Sequence, residues 1–249
     1  MFEEDNVDNL PNSERWTARS LRLTAFPIHA PDIESIPKWE ETIGELPENS
    51  NRQPRAGILE ESGNFGKGFL SLTFVPGRID WNYLSVFPQE KMPEDFPNIG
   101  QAAEAIELFK PLIIKWLESC SPLNRLAFGA ELFLPSENHK DGYNLLNNYL
   151  HAVKVDNNSR DFSYSINRPR FSESGMPSIE INRLSRWRAT KMMLKAEGLD
   201  SDPIFAVSLT LDINTVLQDD IEIKRENFNK LLNELIAMAI EIVEKGDIP

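Results

Sequence analysis

The chain has one cysteine, Cys120, among 249 residues, so it cannot close an intramolecular disulfide. It has three histidines, His29, His139 and His151, and neither a Cys-x-x-Cys nor a His-x-x-x-His pair, so structural zinc is not expected. Cys120 falls near a predicted helix C-terminus, where the dipole does not favour a thiolate, and reads as a core residue. Long apolar runs are missing too. The longest helical patterns are broken by Lys115 or by Asn233 and Glu234, so no membrane-spanning segment is expected. The start, Met1-Phe2-Glu3-Glu4-Asp5, lacks the basic residues and apolar run of a secretory signal, and a reducing cytoplasm is the expected location.

Positive charge is scarce. Lys and Arg number 26 against 39 Asp and Glu, a net charge of -13 that disfavours non-specific adhesion to nucleic acid or anionic membrane. Catalytic signatures are absent as well, with no Gly-x-Ser-x-Gly elbow and no kinase set. Gly63-Asn64-Phe65-Gly66-Lys67-Gly68 is glycine-rich but lacks the Gly-Lys-Ser/Thr ending of a phosphate loop, and it precedes a strand pattern, so it reads as a hairpin turn. No cofactor is implied.

What is present is a patterned α+β chain. Residues 1–14 are polar and acidic without periodicity and read as an arm. A strand is expected from Arg15 to Phe26, with Arg19 and Arg22 breaking strict alternation. A proline-rich connection follows, with a short helix near 38–43. Strands near 56–61, 67–75 and 79–87 form a meander punctuated by Ser62-Gly63-Asn64 and Pro76-Gly77. Asn98 is placed to cap a helix carrying Ile99, Ala102, Ala103, Ile106, Phe109, Ile113 and Trp116, which Pro111 should kink or divide. A strand over 124–134 and a helix over 141–153 come next. Residues 162–167 and 178–182 alternate as a hairpin pair, residues 187–195 suit a strand or a helical turn, and 204–213 form the best strand. A helix over 225–245 closes the chain, with Phe228, Leu231, Leu232, Leu235, Ile236, Ala239, Ile242 and Val243 on one stripe. Met238 and Ile240 fall off that stripe; the expectation is burial of the helix against its own sheet, with packing of part of it against another subunit as the alternative.

The expected fold is an antiparallel or mixed β-sheet with helices packed on one face, as a single domain over 15–249 or two intimately packed halves, 15–134 and 135–249. This element order, with a late strand running into Leu211-Asp212-Ile213-Asn214-Thr215 and a closing amphipathic helix, resembles a sporadically distributed bacterial family of α+β proteins of uncharacterised function. The resemblance implies a bacterial accessory protein from an anti-phage defence neighbourhood and supplies no catalytic residues.

Charge is the strongest local signal. Residues 160–195 hold eight basic groups against three acidic ones, a net of +5 that leaves -18 for the remainder. Arg168, Arg170, Arg183, Arg186 and Arg188 are candidate ligands for a carboxylate or phosphate partner, because guanidinium offers a planar fork. The triplet Ile-Asn-Arg recurs at 166–168 and 181–183, and Tyr164 and Trp187 lie nearby for stacking. The alternative is that these arginines pair with the protein's own carboxylates. A weaker signal is Asp212 followed by Glu222-Ile223-Lys224, superficially the Asp…Glu-x-Lys pattern of metal-dependent nucleases, although a helix start suits Glu222 better. The leading expectation is a non-enzymatic interaction or regulatory subunit that engages an acidic partner or its own copy. A nucleic-acid-binding accessory working through residues 160–195 comes next, and a nuclease last.

Overall fold

The computed structural model describes residues 13–29, 36–87, 95–156, 158–174, 179–193, 195–196, 199–200, 202–217 and 222–248. Its strands are β1 (Thr17–Pro27), β2 (Asn49–Gln53), β3 (Ile58–Phe65), β4 (Gly68–Val75), β5 (Arg78–Leu84), β6 (Leu123–Ser136), β7 (Ser163–Asn167), β8 (Arg170–Phe171), β9 (Glu180–Met192), β10 (Lys195–Ala196), β11 (Leu199–Asp200) and β12 (Ile204–Thr215). The helices are α1 (Trp39–Ile43), α2 (Ala102–Leu117), α3 (His139–Tyr149) and α4 (Arg225–Lys245). Ten strands form one sheet in the order β2-β3-β4-β5-β1-β6-β12-β9-β7, with β8 also paired to β9. Every pairing is antiparallel. β10 and β11 pair only with each other.

Turn chemistry sets the meander. Pro76 and Gly77 join β4 to β5 with Val75 opposite Arg78, and Gly77 takes a φ of 80° that its lack of a Cβ permits. The β3–β4 turn is Gly66-Lys67, with Phe65 opposite Gly68. Ser62-Gly63-Asn64, read as a turn, instead lies inside β3, where Gly63 makes room for Glu48 and Trp39. Arg19 breaks the alternation of β1 because a bulge sits between Ala18 and Ser20. Beyond it Leu21, Leu23 and Ala25 regain a single buried face, and Arg22 falls on the other.

The helices also depart in detail from expectation. Ile99 donates its N–H to Ala18 O and Gly100 accepts from Ala18 N, so this stretch is extended along β1 and α2 starts only at Ala102. Asn98 caps no helix. Its Oδ1 accepts from Gly100 N in a turn. Pro111 does not divide α2, which runs unbroken through it. Pro111 and Glu107, four residues earlier, are both exposed, so water can take the bond that proline cannot make. α3 starts at Asn138, whose Oδ1 accepts from Asp141 N. α4 has the expected bounds and buries Met238 along with its stripe, while Ile240 stays partly exposed. β2, all polar and all exposed, is a strand where the sequence predicts a surface connection. Of the predicted arm, residues 1–12 lie outside the described residues and Ser13–Arg15 form a 3-10 turn.

The core is one apolar cluster lying between the helices and one face of the sheet. A lateral row on that face runs Glu61–Leu72–Trp81–Leu23–Phe128–Ile213–Arg183 across seven strands. Trp81 stacks on Trp39 of α1 and meets Trp116 of α2 edge-on, while Tyr83 stacks on Phe109 of α2. Each such aromatic takes 150 to 250 Å² or so out of water, and rows like this one dominate the stabilisation. The row ends are ionic, and each finds a local partner. Glu61 accepts from Trp39 N at the start of α1, and Arg183 reaches a carboxylate of α4.

Candidate functional site

β9 carries most of the basic segment, and its pleat sorts the arginines. Successive side chains of a strand point to opposite faces, so Ile181, Arg183, Ser185 and Trp187 share the helix-covered face, while Asn182, Leu184, Arg186 and Arg188 share the other. β7 follows the same rule. Tyr164 lies opposite Trp187 on the covered side, and Ser163 and Ser165 lie opposite Arg188 and Arg186.

On the covered side the arginines are neutralised from within. Arg168 holds Asp247 through Nε to Oδ1 at 2.5 Å and Nη2 to Oδ2 at 3.0 Å, and the Tyr164 hydroxyl donates to the same Oδ2 at 2.7 Å. Burial works to raise the Asp247 pKa, but hydrogen bonds from Arg168 and Tyr164 outweigh it and hold the carboxyl below its ordinary value. The tail is pinned further by Asp247 N donating to Tyr149 O. Arg170 and Arg183 both donate to Glu241 Oε2, at 2.8 and 3.0 Å. The Arg183 side chain is 1% exposed, and its Nε and Nη1 are buried with no hydrogen-bond partner among the described residues. Burial first, and then repulsion from Arg170, lower its pKa. Trp187 is fully buried, stacked on Tyr149 and edge-on to Trp16, with Nε1 donating to Ser185 Oγ at 3.1 Å. Trp187 therefore offers no stacking surface to a ligand, and Tyr164, partly buried, commits its hydroxyl to Asp247.

The repeated Ile-Asn-Arg triplet does bring two arginines together, since Arg168 N donates to Arg183 O across the β7–β9 connection. They converge on α4 and the C-terminal tail rather than on solvent. The seven predicted site residues thus divide, with Tyr164, Arg168, Arg170, Arg183 and Trp187 in the covered layer and Arg186 and Arg188 on the opposite face. Both of the latter are exposed, and neither guanidinium has a hydrogen bond or ion pair among the described residues.

That opposite face holds a shallow depression of about 430 Å³ spanning six strands from β5 to β7. One lateral row through it reads Asn82–Arg22–Gly129–Asp212–Leu184–Asn167, and the next reads Leu84–Ser20–Glu131–Thr210–Arg186–Ser165. Gly129 shapes the floor, because a Cβ there would come within 3.3 Å of Arg22 Nη2, and its absence lets the guanidinium lie across β6. Arg22 Nη2 stands 3.8 Å from Asp212 Oδ1, an ion pair too long for a hydrogen bond, and Arg19 pairs with Glu131 at 3.1 Å. Arg22, Gly129, Glu131, Ser20, Thr210 and Ser165 were not foreseen as site residues. The signal available for Arg22 was its parity, opposite to Leu21 and Leu23.

Asp212 does not meet Glu222 and Lys224. Asp212 lies opposite Gly129, while Ile223 bridges to Leu123, six residues along β6 and so about 20 Å away. Among the described residues no group of three or more His, Cys, Asp or Glu could hold a metal ion. Cys120 is buried, and burial raises its pKa well above the ordinary thiol value. No helix of the described residues is long and apolar enough to cross a membrane. The open face offers charged forks, hydroxyls and amides around a shallow floor. No protein-family model, curated protein or solved structure matches the chain.

Proposed function

We propose that the protein is a non-enzymatic interaction or regulatory subunit of a bacterial complex, working in the cytoplasm, and that its binding surface is the open face of the sheet around Arg22, Gly129 and Arg186. The observation that carries this reading is the contrast between the faces. One is sealed by helices and has its arginines paired internally, whereas the other presents polar side chains across six strands and leaves Arg186 and Arg188 uncommitted. A broad, shallow, polar depression suits a protein surface better than a small molecule, which typically needs deeper enclosure. The family resemblance of the element order supports an accessory role in anti-phage defence.

The test is affinity purification from the source cell with mass analysis of co-purifying chains, comparing wild type with Ser165→Trp. Ser165 is exposed at the rim of the depression, so tryptophan blocks the face without entering the core. Loss of a stoichiometric partner in the variant is the expected result. An unchanged set of partners would overturn the assignment of this face.

A further inference from the structure

The arrangement around Arg186 and Arg188 is specific enough to name a ligand chemistry. Arg188 lies between Ser163 on β7 and Ser208 on β12, and Arg186 lies between Ser165 on β7 and Thr210 on β12. All six belong to the open face, and each arginine is flanked across the sheet by two hydroxyl residues. Alternate residues on a strand stand about 6.6 Å apart, twice the rise per residue. An extended polypeptide lying along β9 repeats its own same-side residues at that same interval.

Resting on the reading of the open face as an interaction surface, we propose that this patch binds an extended acidic segment of a partner protein, with two carboxylate residues at alternate positions followed by an apolar one. Each carboxylate accepts the fork of one arginine and a hydroxyl from a flanking strand. The third position falls over Leu184, which is bordered by Asp212 and Asn167. The Asp212 carboxylate, paired with Arg22 only at 3.8 Å and without a hydrogen bond, repels a third acid there, so the site counts two charges and then asks for an apolar side chain. Among the described residues the two arginines have no ion-pair partner, and this gives the patch, on a chain whose net charge is -13, its complementarity to a short acidic segment. A long phosphate backbone is disfavoured by the same features. Its next charge would meet Asp212, its flanks would meet an acidic body, and of the two expected stacking residues Trp187 is buried and Tyr164 lies on the other side of the sheet.

The experiment is fluorescence anisotropy of the full chain with a labelled dodecapeptide whose centre reads Glu-Ser-Glu-Ser-Leu. Saturable binding is expected, weakened about a hundredfold in the double variant Arg186→Ala with Arg188→Ala. Replacing the peptide leucine with glutamate should weaken wild-type binding about threefold, and Asp212→Asn should remove that penalty. Circular dichroism melts verify that each variant is folded. Absence of saturable binding, equal binding by the double variant, or tighter binding of an oligothymidylate of matched charge would each overturn the inference. Should the partner be lost with Ser165→Trp yet kept by the double arginine variant, the acidic-segment inference fails and the interaction surface stands.

Discussion

Arg183 and Arg186 are three residues apart on β9 and occupy opposite physical worlds. Arg183 lies under α4, almost without exposure, held by Glu241 and crowded by Arg170. Arg186 lies on the open face beside Ser165 and Thr210, with no partner among the described residues. A basic segment in sequence is therefore not a basic surface. The pleat sends alternate charges to opposite sides, and only those reaching solvent can serve a partner. On the covered side the pairs are structural, tying β7, β8 and β9 to the final helix and tail.

The comparison breaks most visibly at Glu241. Glu241→Gln leaves the buried Arg183 charge uncompensated, and urea unfolding should show a loss of about 3 kcal/mol at unchanged slope. Asp247→Asn comes next, with a loss of about 2 kcal/mol at neutral pH from weakened bonds to Arg168 and Tyr164. The sign with pH follows from the depressed native pKa. The unfolded chain binds the proton first, so the Asp247 contribution is fully present well above its ordinary value of 3.8 and is lost as pH falls through the lower folded value. Stability measured from pH 5 downward should fall more steeply in wild type than in Asp247→Asn. Arg183→Met sharpens the contrast with an opposite sign. Two of its guanidinium nitrogens are buried and unpartnered, and Glu241 keeps Arg170 and Lys245, so methionine should raise stability by about 1 kcal/mol. The smallest effect belongs to the open face, where Arg186→Ala with Arg188→Ala should shift stability by no more than about 0.5 kcal/mol while altering binding.

Much of the fold was legible because its signals are local. The stripe of α4, the alternation of β12 and the Pro76-Gly77 turn each depend on residues close in sequence, and each forms as expected. β2 was not legible, since Asn49-Ser50-Asn51-Arg52-Gln53 has no apolar face and exists as a strand only because β3 offers it an edge. α2 begins late because Ile99 and Gly100 are taken by β1, a competition invisible from helical spacing. The candidate site was half legible. Arg186 and Arg188 were singled out, but grouped with Arg183 and Trp187, whose opposite parity along β9 was already written in Ile181-Asn182-Arg183-Leu184-Ser185-Arg186-Trp187-Arg188.

By itself the sequence determined the elements that carry a periodic apolar face, the acidic body and the concentration of arginine in residues 160–195, because periodicity and composition are properties of neighbours. Only the tertiary structure decided which arginines meet Glu241 and Asp247 and which meet solvent. That choice depends on which face of β9 the helices cover and on the register that sets Arg22, Gly129 and Asp212 side by side. Both are fixed by contacts between residues scores of positions apart, where burying Trp187 and Ile181 outweighs any local preference of the charges beside them.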